Sequence, residues 1–375
     1  MSHVTIVSTS YPDGHGGSEA AGAFVADFAK ELSNITEVSI VAPGRAGTFS
    51  NEEGIEVFRF RTRSTPLSLL RPLHPMDWPQ LFSVMSAGHH AVLKAVRRTH
   101  AAHILALWSL PSGLWARHAA NKYRIPYSTW SLGSDIWSLG RIPLFKRLLA
   151  SVLAGSDCCF ADGIALARDV ERLSGRECDY LPSCRTLPPR DKSPRSTPPY
   201  RLAFLGRWHH NKGVDILLDA LFLLSENDWQ SIEEIRIAGG GPLDSRVRED
   251  CGRLESTGLP VSMRGFADRD AAADILSWAD YLLIPSRIES IPVILSDAVQ
   301  IGTPIISTPV GDIPDVLARH GIGLLSDDTS AASLARAIRT ALQTPPTSFH
   351  RNLAKAQPCF SITAAARQFA NRIHL

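Results

Sequence analysis

At 375 residues the chain is too long for one ordinary core, and two domains are the natural expectation. Hydrophobic residues make up 44% and charged residues 20%, a balance that excludes a disordered or fibrous chain. The formal net charge of +2 argues against a dedicated nucleic-acid binder, which would carry a strongly basic domain.

The opening MSHVTIVSTS runs straight into a strand and lacks the basic and apolar regions of a signal peptide. No run of about 18 apolar residues occurs, so no transmembrane helix is expected. The six cysteines (Cys158, Cys159, Cys178, Cys184, Cys251, Cys359) form no CxxC pair and read as reduced thiols, which points to the cytoplasm.

In chain order, VTIVS (residues 4–8) is a strand, GHGGSE (14–19) a turn with Gly16 and Gly17, and SEAAGAFVADFAKEL a helix. VSIVA (38–42) is the next strand. RFRTRSTPLSLLRPLHPMDWP follows, with Arg59, Arg61, Arg63 and Arg71 and no acid before Asp77. Such a run is either a solvated loop or a contact for an anionic membrane or pyrophosphate-bearing acceptor. Arg141, Lys146 and Arg147, in RIPLFKRLLASVL, extend that basic face as a short amphipathic helix. HILAL, PYSTW and DCCFA complete the strands of the first half. The rhythm restarts at RLAFLG (201–206) and continues through EIRIAGG, VSMRG, YLLIP and PIIST. Strands alternating with helical patterns predict parallel sheets covered on both faces.

Between the halves lies CRTLPPRDKSPRSTPPY (184–200), whose five prolines read as an interdomain linker. The expected domains are residues 1–190 and 200–360. The last segment, 361–375, has a helical apolar pattern. The expected fold is α/β, two Rossmann-like doubly wound domains facing across a cleft, with ligands at the carboxyl ends of the strands.

GRWHHNKG (206–213) joins a strand to a helix. Arg207 and Lys212 flank the turn, and with the positive end of the helix they suit a diphosphate, or else they are two solvated cations. In ESIPVILSD, Pro292 places a helix start near Ser290 or Ile291. Its free amides could cap a phosphate, with Glu289 at the mouth and Asp297 inside the helix. Both acids are equally consistent with helix-dipole partners. AGGGPL (238–243) permits close backbone approach at Gly240, and is not the GxGxxG of a nicotinamide site. Asp268-Arg269-Asp270 formally matches a DxD metal motif, but an acid ahead of AAADILSWA reads as an N-cap, and no metal site is expected. His209 and His210 lie beside Lys212, where a metal would be repelled.

These residues together resemble the retaining family 4 glycosyltransferases of the GT-B architecture. The resemblance rests on the GG turn (Gly16, Gly17), GRWHHNKG, AGGGPL, the RGFAD turn and PSRIES. It implies that Arg207 and Lys212 clamp the donor diphosphate together with Gly206 and Gly240. Glu289 would face the donor sugar and Asp297 the ribose. Arg264 and Phe266 would edge the base, and amides near Ser290, Ile291 and Val293 would reach the phosphates. SLGSD, with Gly133 and Asp135, resembles the family's HGSD element, with Leu132 in the place of the histidine. The closing helix is expected to return to the first domain.

The implied activity is retaining transfer of a hexosyl unit from a nucleotide diphosphate sugar to a hydroxyl of a glycan or lipid-linked acceptor. It would need no metal and no cofactor, and would serve polysaccharide or glycolipid assembly. The implied location is cytoplasmic, with a peripheral place on the inner face of the membrane. A nucleotide-sugar epimerase and a catalytically silent nucleotide-sugar-binding subunit are the alternatives.

Overall fold

The computed structural model describes residues 2–12, 19–62, 67 and 74–375. The chain forms two compact units, Met1–Arg185 with Ile362–Leu375, and Thr186–Ser361.

In the first unit, eight strands make one sheet: β1 (His3–Val7), β2 (Glu37–Gly44), β3 (Thr48–Glu52), β4 (Ile55–Arg61), β5 (His103–Leu107), β6 (Tyr127–Ser131), β7 (Cys158–Ala161) and β8 (Cys178–Tyr180). Their order is β3-β4-β2-β1-β5-β6-β7-β8. Every pairing is parallel except β3 with β4. β1 and β5 are buried at every position, as strands covered on both faces must be. The helix Ile362–Arg372 belongs to this unit. Its Phe369 ring is fully buried and lies 5.7 Å from Phe28 and 5.5 Å from Phe160. Burial of one such ring contributes about 2–3 kcal/mol.

The second unit has six strands: β9 (Tyr200–Arg207), β10 (Ile232–Gly240), β11 (Val261–Arg264), β12 (Tyr281–Ile284), β13 (Ile305–Ser307) and β14 (Gly323–Leu325). All are parallel, in the order β11-β10-β9-β12-β13-β14. The order reverses between β9 and β12, and in the first unit between β1 and β5. At such a reversal the two following connections diverge and leave a crevice at the carboxyl edge. The expected doubly wound α/β pair is therefore present, and the topology alone brings the turns after β9 and β12 together.

The proline-rich segment is not a free tether. Most of it, from Thr186 on, belongs to the second unit, and it is laced onto the helix Arg269–Trp278. Arg190 pairs with Asp270 at 2.8 Å and with Asp274 at 2.6 Å. Lys192 Nζ donates to the carbonyls of Leu276 (2.9 Å) and Ala279 at the end of that helix, and to Thr303 Oγ1 at 2.8 Å. A cation there satisfies carbonyls that a helix end leaves open. Prolines forbid regular structure, but they leave the charged side chains between them free to bind.

The four-arginine face also differs from expectation. Arg63 and Arg71 lie outside the described residues. Arg59 is turned inward: Nη2 donates to Pro12 O at 2.6 Å and Glu52 Oε1 at 3.3 Å, and the guanidinium lies over the Tyr11 ring. The acid and the ring on neighbouring backbone outcompete solvent for it. Arg61 is exposed. No helix among the described residues is long and apolar enough to cross a membrane.

Candidate active site

The first part of the site is the turn after β9. Trp208 is 2% exposed and anchors it: its amide donates to Gly240 O (2.9 Å), and its carbonyl accepts from Leu243 N (2.9 Å). The two turns lie so close that a Cβ on Gly239 would fall 1.9 Å from Gly206 O. A Cβ on Gly240 would meet the Phe266 ring at 2.6 Å. The glycines of AGGGPL thus serve close packing of backbone and ring. Phe266 is left 54% exposed, and the neighbouring Arg264 is exposed too.

Beyond Trp208 the chain makes a 3-10 turn, His210–Lys212, and enters the helix Val214–Leu221 through Gly213 at φ 67°. A Cβ on Gly213 would sit 1.8 Å from Pro285 O, so this turn rests directly on the loop after β12. Arg287 in that loop makes a two-pronged bond to Asp215, with both N–O distances 2.8 Å, and also donates to His210 O at 2.8 Å. Burial pushes the Asp215 carboxyl up, but the Arg287 fork outweighs it and the net pKa lies below the usual range.

That clamp presents Glu289. Its Oε1 accepts from Lys212 Nζ at 2.5 Å and from Ser286 Oγ at 2.9 Å. Thr308 Oγ1 in turn holds Ser286 O at 2.5 Å. Gly311, at φ 57°, comes so near that a Cβ would fall 2.0 Å from Glu289 O. The residues that fix the acid (Ser286, Thr308, Asp215, Arg287, Gly311) carry no motif signal apart from the glycine and the Arg/Asp pairing of types.

The electrostatics are one-sided. Arg207, at the end of β9, is half-buried, and desolvation alone lowers its pKa, with no acid acting on it. His209 is lowered by burial and then by Arg207, His210 and Lys212, which places all three side chains near one imidazole. Its Nδ1 accepts from Asn211 N at 3.2 Å, which leaves Nε2 carrying the proton in the neutral ring. Lys212 is balanced by Glu289; Arg207 is balanced by nothing among the described residues.

The helix after PSRIES begins at Val293, with Pro292 as its N-cap at ψ 140° rather than as its first helical residue. The start is thus later than the proline suggested, because an extended ψ at Pro292 turns the chain before the helix begins. Ser290 and Ile291 are buried, and Val293 is half-exposed at the first turn, whose amides lack helical acceptors. Asp297 is 0% exposed. Asp268 caps the helix Arg269–Trp278, its Oδ1 accepting from Ala271 N at 2.8 Å.

In the first unit, Gly16 and Gly17 lie outside the described residues. Gly133 has φ 93° and precedes the short helix Ser134–Trp137. Asp135 is buried and does not open onto a surface: it accepts from Ser109 N at 2.6 Å and Leu132 N at 3.2 Å, tying the end of β5 to the end of β6. Burial raises its pKa against those amides. Trp108, next to Ser109, has φ 59°, a strained value for an indole-bearing residue. It marks the reversal point of this sheet, and no sequence pattern signalled it.

Comparison with known proteins shows what the chain is similar to. Residues 199–344, which lie within the second unit, match the family profile described as Glycosyl transferases group 1. The whole fold is of the GT-B type. Sucrose-phosphate synthase from Thermosynechococcus elongatus superposes with TM-score 0.76 at 18% identity, over 100% of this chain and 98% of that one. Anabaena Alr3699/HepE in complex with UDP and glucose superposes with TM-score 0.72 at 16% identity, over all of both chains.

Among curated proteins, the chain is 32% identical over 145 residues to D-inositol 3-phosphate glycosyltransferase of Jonesia denitrificans, covering 38% of this chain and 34% of that protein. It is 25% identical over 304 residues to Bacillus subtilis TuaC, whose name assigns it as a glycosyltransferase to teichuronic acid biosynthesis, covering 76% of this chain and 71% of that protein. The match thus spans about a third of the first relative's length and more than two thirds of the second's.

Proposed function

We propose that the chain is a retaining glycosyltransferase that moves a hexosyl unit from a nucleotide diphosphate sugar to a hydroxyl acceptor, in polysaccharide or glycolipid assembly. The observation that carries this reading is Arg207: a half-buried guanidinium with no carboxylate partner among the described residues, at the strand end where the sheet order reverses. An uncompensated cation in that crevice calls for an anionic ligand. Glu289, held in place beside Lys212, supplies an acid for the attached sugar. The group 1 match and the names of the relatives favour glycosyl transfer over other uses of the same anion site.

In this mechanism the chemistry is departure of a diphosphate. Arg207, the His209 turn and the first-turn amides of the helix Val293–Ile301 hold the charge that develops on it. The departing phosphate accepts the proton of the incoming hydroxyl, and the new bond forms on the same face. These fixed cations let the reaction proceed without a divalent ion. Exposed Phe266, seated on Gly240, gives the base a ring to lie against. The proposal includes a cytoplasmic location.

The test is a thermal-shift screen of nucleoside diphosphates and their sugars, followed by product analysis with an acceptor panel in the presence of a chelator. A ligand that binds only the folded state raises Tm. Stabilisation by one nucleotide class and transfer with retained configuration are expected. No stabilisation by any nucleotide sinks the reading, and a changed sugar formed without acceptor replaces it with epimerisation. Activity that the chelator abolishes and Mg²⁺ restores removes metal independence alone.

A further inference from the structure

We propose that the first unit carries a second anion site, a recess on its helical flank that receives the phosphate ester of a phosphorylated acceptor. This rests on the glycosyl-transfer reading, because the donor's own diphosphate is assigned to the other unit. The recess has a volume of about 290 Å3, and Trp137, Arg141, Lys146, Asp169 and Arg172 line it. Its one carboxylate is already engaged. Asp169 accepts from Trp137 Nε1 at 2.7 Å and is paired with Arg172. Arg141 and Lys146 are exposed and have no carboxylate partner among the described residues. Three cations against one acid leave an excess of positive charge at the wall.

Position supports the assignment. Lys146 lies in the first turn of the helix Pro143–Ala154, whose amino end adds positive potential. Trp137 stands six residues past the end of β6, and Asp135, two residues before it, bonds the Ser109 amide at the end of β5. β5 is one of the two strands at which this sheet reverses, where ligands of such sheets collect. A phosphate ester suits the recess better than a neutral sugar hydroxyl, because an anion adds the attraction of opposite charges and accepts short charge-assisted bonds from Arg and Lys.

The experiment follows the Trp137 indole N–H by NMR, assigned with Trp137→Phe, while inorganic phosphate and then a hexose 6-phosphate are added to the full chain. A saturable shift is expected with both. In Arg141→Ala/Lys146→Ala the affinity for both should fall roughly tenfold or more. Both side chains are exposed, so the fold should persist; Arg141→Glu is a second variant with a larger loss.

A Trp137 signal indifferent to phosphate, or equally responsive in the double variant, overturns the site. Response to anionic vesicles but not to soluble phosphates replaces the acceptor with a lipid surface. Failure of the donor reading shows separately, as absence of nucleotide stabilisation, whatever the indole reports. In transfer assays the double variant should raise KM for a phosphorylated acceptor and leave KM for the donor unchanged; a rise in both counts against the assignment.

Discussion

Lys212 and Glu289 are 77 residues apart in the chain, yet Nζ and Oε1 meet at 2.5 Å. The contact exists because β9 and β12 are neighbours at the sheet's reversal and their two loops are locked by Arg287 and Asp215. The lysine therefore holds the acid, while Arg207 has no carboxylate partner among the described residues.

Arg207→Ala should lower turnover by about 10²–10³-fold, the usual loss for one fixed donor to a developing anion. Its Tm should hold or rise slightly, since removing a desolvated cation with no acid partner among the described residues relieves a burial penalty. Steady-state rates and a melting curve measure both. Near-parental turnover would dismiss the clamp.

Gly311→Ala should injure catalysis without touching a functional side chain. The new Cβ would lie 2.0 Å from Glu289 O at a backbone φ of 57°, so the acid's loop must shift. Displacement of a reacting group by about 1 Å costs on the order of 10²-fold in rate. Nucleotide binding, which the proposal assigns to the β9 turn, should change little. Equal loss of binding and turnover would mean that the whole unit has been disturbed.

Binding of a nucleoside diphosphate should raise the His209 pKa. In the free protein burial depresses it, and Arg207, His210 and Lys212 depress it further. An anion beside Arg207 and Lys212 offsets the repulsion, so binding takes up a proton. Affinity should then increase as pH falls through the window between the free and bound pKa values. Imidazole NMR titrations with and without ligand report this, and an unmoved His209 would place the anion elsewhere.

His103 should make the first unit acid-sensitive. Burial lowers its pKa from 6.5 to about 4. The unfolded chain binds the proton first, so this stability is present above about pH 6.5 and is lost as pH falls toward 4, to a total of about 3 kcal/mol. His103 Nε2 lies 2.8 Å from Ser128 Oγ, and His103→Gln retains a polar partner for it while removing the titration. The variant's Tm should fall less steeply over that interval. An identical slope would assign the acid sensitivity to other groups.

The parts of this molecule that could be read from its sequence are those set by local pattern. Apolar runs such as HILAL and YLLIP announced buried parallel strands, and GRWHHNKG and PSRIES marked the turns that leave β9 and β12. Side-chain direction was not legible. Arg59 and Lys192 both stand in stretches that look like solvated loop, yet one turns toward Glu52 and the other reaches the end of a helix. Asp135 and Asp297 have the composition of site residues and are buried. Whether a charge faces ligand, core or water depends on neighbours supplied by distant segments, and no spacing rule records them. Trp108 is the reverse case: an unremarkable tryptophan in sequence, identified only by its backbone angle.

The placement of the helix Ile362–Arg372 sets the order in which the two units can be completed. Residues 186–361 form a contiguous unit that can fold as it leaves the ribosome, whereas the earlier unit still lacks Phe369 between Phe28 and Phe160. The half translated first is thus completed last, and until then the apolar surface of Phe28 and Phe160 that Phe369 covers stays open.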